Sequence, residues 1–149
     1  MRLSLSAALW ILLCAGILPA QGDKPSVNNY VKYSAALQGK KLGAGSPARL
    51  VITLKPARGI HINGTPPLSV TIDSTGPVVA AGKPDVPLVK ATGFLDTKKP
   101  IVMPLTVSND VKPGTVTVRG TLVYYYCSDA EGWCSRFKQP IEIRTKVGN

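Results

Sequence analysis

The chain has 149 residues, 18 Lys+Arg against 8 Asp+Glu, one His and three Cys, a formal net charge of +10 and 44% hydrophobic residues. One His and three Cys exclude His-pair zinc motifs, four-cysteine zinc sites and four-cysteine iron–sulfur clusters, so no metal and no cofactor is expected. The length fits one domain with a targeting segment, the apolar content argues against disorder, and 14 Gly with 13 Pro disfavour a helix bundle.

Residues 1–22 read MRLSLSAALWILLCAGILPAQG. Arg2 supplies a short positive start and Ala7 to Leu18 a compact apolar run, too short to span a bilayer comfortably. Ala20-Gln21-Gly22 presents small residues to a signal peptidase, so cleavage is expected before Asp23, with a cut before Gln21 as the poorer alternative. Cys14 is not read as a lipidation site, because Leu13 precedes it where a small residue is wanted. Removing the segment leaves 127 residues and lowers the net charge to +9. It also removes Cys14, so Cys127 and Cys134 remain as one pair, most simply one disulfide in an exported protein. The compartment is therefore expected to be periplasmic or otherwise exported.

The remaining chain, residues 23–149, alternates with period two. Val31, Tyr33, Ala35 and Leu37 share a face, as do Leu50, Ile52 and Leu54, then Leu68, Val70 and Ile72, then Ile101, Met103, Leu105 and Val107. Val116, Val118, Leu122, Tyr124 and Tyr126 line one face of a long strand, and Phe137, Ile141, Ile143 and Val147 one face of the last. Turn signals separate them at Gly43–Pro47, Gly64–Pro67, Gly76-Pro77, Asp110–Gly114 and Asp129–Gly132. Gly76–Leu95 reads mostly as loop. Short strands at this spacing without a helix predict an all-β, immunoglobulin-like antiparallel β-sandwich.

Other patterns carry no chemistry. Gly43-Ala-Gly45-Ser-Pro-Ala48 loosely fits a dinucleotide fingerprint but follows Lys40-Lys41 and has Pro47 where a helix should start, so it reads as a turn. Asn63-Gly64-Thr65 is a glycosylation sequon, meaningful only where the source uses that pathway. Lys and Arg are scattered over loops rather than interleaved with stacking aromatics, so nucleic acid is not expected as a partner. His61 opposes Ile60 and Ile62 in the alternation and reads as a hydrogen-bonded structural residue.

The informative stretch is Gly120–Ile143, GTLVYYYCSDAEGWCSRFKQPIEI. A strand runs into Cys127, six residues turn, and Cys134 begins the return. Antiparallel partners lie about 4.5–5.5 Å apart, within disulfide range. The loop-entropy relation assigns so short a ring at most about 2.5 kcal/mol. Period two puts Cys127 with Val123 and Tyr125, opposite the core face, at the outer face or rim. Tyr125 and Trp133 are then placed to shield sulfurs that remain reachable, as thiol–disulfide exchange needs. From spacing alone, a structural hairpin disulfide is the competing reading.

Tyr124-Tyr-Tyr-Cys127-Ser-Asp129-Ala-Glu-Gly-Trp-Cys134 resembles the paired-cysteine hairpin of the N-terminal periplasmic domain of DsbD, the thiol:disulfide interchange protein. Gly59-Ile-His-Ile-Asn63, Pro66-Pro67-Leu68 and Met103-Pro-Leu-Thr-Val107 are similar to further segments of that family. The six-residue spacing is one longer than in its best-known members, and Ser135-Arg136 stands where they have Tyr-Pro. The resemblance implies a reversible Cys127–Cys134 disulfide, with Cys134 forming mixed disulfides and Cys127 resolving them. It also implies an aromatic cap over the disulfide, for which Phe94 is the candidate. Electrons would pass from a thioredoxin-like or DsbD-like redox protein, through this domain, to oxidised exported client proteins, with no stable membrane insertion after cleavage. The alternative is a non-catalytic immunoglobulin-like binding module with a structural hairpin disulfide.

Overall fold

The alternating segments form eight strands: β1 (Val31–Gln38), β2 (Pro47–Pro56), β3 (Ile60–Ile62), β4 (Ser69–Ile72), β5 (Val78–Ala80), β6 (Ile101–Val107), β7 (Gly114–Ser128) and β8 (Trp133–Val147). The computed structural model describes residues 27–148, so the expected leader, the expected cleavage point before Asp23 and Cys14 lie outside the described residues. One sheet runs β1-β2-β6-β5. In the other, β7 pairs with β3 and β4 in succession along one edge and with β8 along the other. Every strand pairing is antiparallel, and the two sheets make an immunoglobulin-like sandwich. Among the described residues no helix is long and apolar enough to cross a membrane.

The inner faces are those that the alternation predicts. Leu50, Ile52 and Leu54 from β2 and Ile101, Met103, Leu105 and Val107 from β6 meet Val118, Leu122 and Tyr124 from β7 and Ile141 and Val147 from β8 in one buried cluster. Each is removed from water, and apolar burial of this kind is the main favourable term in folding. Burial also pushes the phenols of Tyr33 and Tyr124 up to about 12, and the Asn28 amide donates to the Tyr124 hydroxyl at 2.9 Å. Gly120 occupies a core-facing position of β7 where a Cβ would collide with the Thr71 carbonyl oxygen and with Ile72 Cδ1. Its missing side chain lets β4 come alongside β7.

Two strands depart from the sequence expectation. β3 and β5 have three residues each, too few for alternation to declare them. They exist because their backbones pair with β7 and β6. Gly76–Leu95 is otherwise irregular as expected, apart from single bridges at Asp85, Leu88 and Phe94, but it contributes Leu95 to the core.

Candidate functional site

β7 and β8 pair residue for residue from Gly114↔Val147 to Ser128↔Trp133. The loop between them holds four residues, Asp129 to Gly132. Gly132 takes φ +69°, a left-handed conformation that suits glycine, and its N–H donates to the Ser128 carbonyl at 2.9 Å. The Glu131 N–H donates to Ser128 Oγ at 3.3 Å. This turn and the buried inner face select one register, since a slip by one residue would turn every side chain over. In that register Cys127 faces Cys134, the Cα atoms are 4.1 Å apart, and the sulfurs are bonded.

The disulfide lies on the outer face, as period two requires. Cys127 is buried yet stands apart from the core cluster. On that face the two cysteines differ: Cys127 is only 4% exposed, whereas Cys134 is exposed. The cause is β3, which lies beside β7 and sets His61 directly opposite Cys127. His61, Cys127 and Cys134 therefore form one row across three strands. The structural role read for His61 from the sequence leaves out its position, which is directly across from a disulfide-bonded cysteine.

A second layer of backbone pairing extends this sheet. Leu95 N–H donates to the Ile62 carbonyl at 2.8 Å, and Gly64 N–H to the Gly93 carbonyl at 3.0 Å, so Phe94 sits opposite Asn63. A Cβ on Gly64 would strike the Gly93 carbonyl oxygen, so glycine is needed for this close approach. Gly93 itself takes φ +70° in the tight turn that begins at Val89. The Phe94 ring stacks on the His61 imidazole with centroids 3.8 Å apart and planes 17° from parallel. His61 Nδ1 lies 3.4 Å from Asp129 Oδ2 in the hairpin turn, although Asp129 is so exposed that such a pair adds little stability. Phe94, His61 and the cysteine hairpin are thus in one patch.

Asn63 is the residue to which the sequence reading assigned no chemistry at the disulfide. Its side-chain Nδ2 donates to Cys127 Sγ at 3.0 Å, and its backbone N–H donates to the Tyr125 carbonyl at 2.9 Å. The alternation Ile60-His61-Ile62-Asn63 already places His61 and Asn63 on one face; what it lacks is the identity of the strand alongside. Tyr125 shares the sulfur face, is half-buried and pairs with Arg136. Trp133 does not: adjacent strand residues alternate, so its indole packs on Tyr30 and Tyr126 at centroid distances of 5.0 and 5.7 Å, on the face opposite to the sulfurs. Cys134, Arg136 and Lys138 alternate along the exposed face of β8, and neighbouring cations favour a thiolate.

The chain matches no protein-family model, and no curated protein is similar to it at a significant level. What the arrangement can do follows from its asymmetry. A thiolate attacking a disulfide needs in-line access to one sulfur and expels the other. Here one cysteine is exposed to solvent and the other is buried, with its sulfur hydrogen-bonded.

Because the bond closes a ring on a hairpin already held by fifteen residue pairs, its reduction is expected to leave the fold intact. The ring contributes at most about 2.5 kcal/mol to a domain whose class has roughly 5–15 kcal/mol. Far-ultraviolet circular dichroism and thermal melts with and without reductant measure this. A lowered midpoint with an unchanged room-temperature spectrum is the expected outcome; unfolding at room temperature would make the bond a structural staple.

Proposed function

We propose that this protein is an exported thiol–disulfide exchange protein, similar in role to the N-terminal periplasmic domain of DsbD. It takes electrons from a thioredoxin-like donor and passes them to oxidised exported proteins through a reversible Cys127–Cys134 disulfide. The observation that carries the reading is the unequal burial of the two disulfide-bonded cysteines on a sheet face outside the core. A bond that served only to tie the hairpin would need neither an open sulfur nor a polar partner on the closed one. The donor's thiolate attacks Cys134 Sγ and forms a mixed disulfide while Cys127 leaves as a thiolate. The donor's second thiolate then attacks its own sulfur in that mixed disulfide, and Cys134 leaves reduced. The client is reduced by the reverse sequence, with Cys134 attacking and Cys127 resolving. In this reading Phe94 and Tyr125 limit access to the buried sulfur.

The test is the equilibrium reduction potential against glutathione or a thioredoxin of known potential. An exchange protein is expected to lie above about −300 mV, in the thioredoxin-like range. A value well below that would support the alternative, a binding module with a structural hairpin disulfide.

A further inference from the structure

The exchange reaction creates charge on a sulfur that has little water. When an attacking thiolate bonds to Sγ of the exposed residue Cys134, the electron pair of the S–S bond goes to Sγ of Cys127, a residue only 4% exposed. A thiolate in such a place is disfavoured by desolvation unless a donor meets it. Asn63 Nδ2 already lies 3.0 Å from that atom. Its hydrogen bond to a neutral disulfide sulfur is weak, and its bond to a thiolate is charge-assisted and roughly twice as strong as a neutral one. The interaction therefore grows as the reaction proceeds, which is the condition for accelerating it.

We propose that Asn63 is a catalytic residue of the exchange reaction, stabilising the leaving thiolate of Cys127. This deepens the exchange reading above and rests on it. The balanced step is one thiolate of a dithiol reductant plus the disulfide, giving a reductant–Cys134 disulfide plus the Cys127 thiolate. The second thiol of the reductant, deprotonated to water, then displaces Cys134. In the reverse direction the same amide holds the Cys127 thiolate until it attacks. Asn63 is held for this task by its backbone bond to Tyr125 and by the Phe94 segment on its other side. The amide is directed at the sulfur from 64 residues away in sequence, so it is not an accident of the hairpin.

The test uses dithiothreitol, a small dithiol that needs no docking surface. The rate of disulfide reduction in the folded protein is followed by acid quenching and alkylation for the parent, Asn63→Ala, Asn63→Ser and Asn63→Asp. Asn63→Ala is expected to slow reduction about tenfold, the size of a lost charge-assisted hydrogen bond. Asn63→Asp, which turns a donor into a carboxylate facing the forming thiolate, should slow it further. In a Cys134→Ser background the ultraviolet absorbance of the Cys127 thiolate should appear at higher pH once Asn63 is Ala. A purely structural role would not move that titration. The other ionisable groups of this face near the disulfide and of its turn, His61, Tyr125, Arg136, Lys138, Asp129 and Glu131, stay unchanged in every variant.

Circular dichroism selects the variants that fold, and Asn63→Ser serves where Asn63→Ala does not. Unchanged rates and an unchanged thiolate titration in folded variants overturn the role of Asn63 while leaving exchange intact. Slowed reduction by dithiothreitol together with a potential far below the thioredoxin range supports the role of Asn63 and overturns the relay. A parent protein that dithiothreitol reduces only after unfolding overturns both.

Discussion

Cys127→Ser is expected to accumulate a covalent adduct with a thioredoxin-like protein, and Cys134→Ser to accumulate far less. The partner for this experiment carries one active-site cysteine, activated as a mixed disulfide with a small aromatic thiol. The free Cys134 thiolate of Cys127→Ser attacks the partner's sulfur and releases the aromatic thiol. With Cys127 replaced, no second thiol of this chain can resolve the product, so it persists. In Cys134→Ser the remaining thiol is Cys127, enclosed beside β3 with Asn63 on its sulfur. Attack needs in-line approach, so the difference in adduct on non-reducing gels should be about tenfold or more. Equal trapping by both variants would refute the assigned roles. No trapping by either would return the hairpin disulfide to a structural part.

Leu122→Ala is expected to destabilise the protein more than removal of its disulfide does. Leu122 is fully buried in β7, between Val70 of β4 and Gln139 of β8, where the two sheets face each other. Truncation of such a leucine loses the transfer energy of its methyl and methylene groups and leaves a cavity, about 2–5 kcal/mol in total. The eight-residue disulfide ring is worth at most about 2.5 kcal/mol. Urea unfolding of the oxidised protein and of Leu122→Ala, beside the parent with and without reductant, ranks the two effects. A loss below about 1 kcal/mol at Leu122 would mean that this position is not at the centre of the core.

These two experiments separate what holds the molecule together from what it does. The sandwich stands on its inner faces, so reduction of the one hairpin disulfide is expected to leave the fold in place. The disulfide occupies the outer face of the same sheet, where it is positioned by the core but contributes little to it.

The inner faces were legible from residue order alone. Leu50, Ile52 and Leu54 alternate with polar or smaller neighbours, Leu122, Tyr124 and Tyr126 continue the parity of Val116 and Val118, and a strand with one buried face has only one way to place them. The facing of Cys127 and Cys134 was legible for the same local reason, since a short turn with Asp129 and Gly132 joins two strands of known parity. The side of the sheet that Cys127 occupies followed from Tyr124 and Tyr126 being core. What lies beside Cys127 did not follow. β3 is three residues long, and the Phe94 segment is held by single backbone bonds to Ile62 and Gly64. Backbone hydrogen bonds between segments far apart in the chain leave no side-chain period to read. The burial of Cys127, the stacking of Phe94 on His61 and the amide of Asn63 on the sulfur all depend on that lateral pairing, so only the tertiary structure decided them.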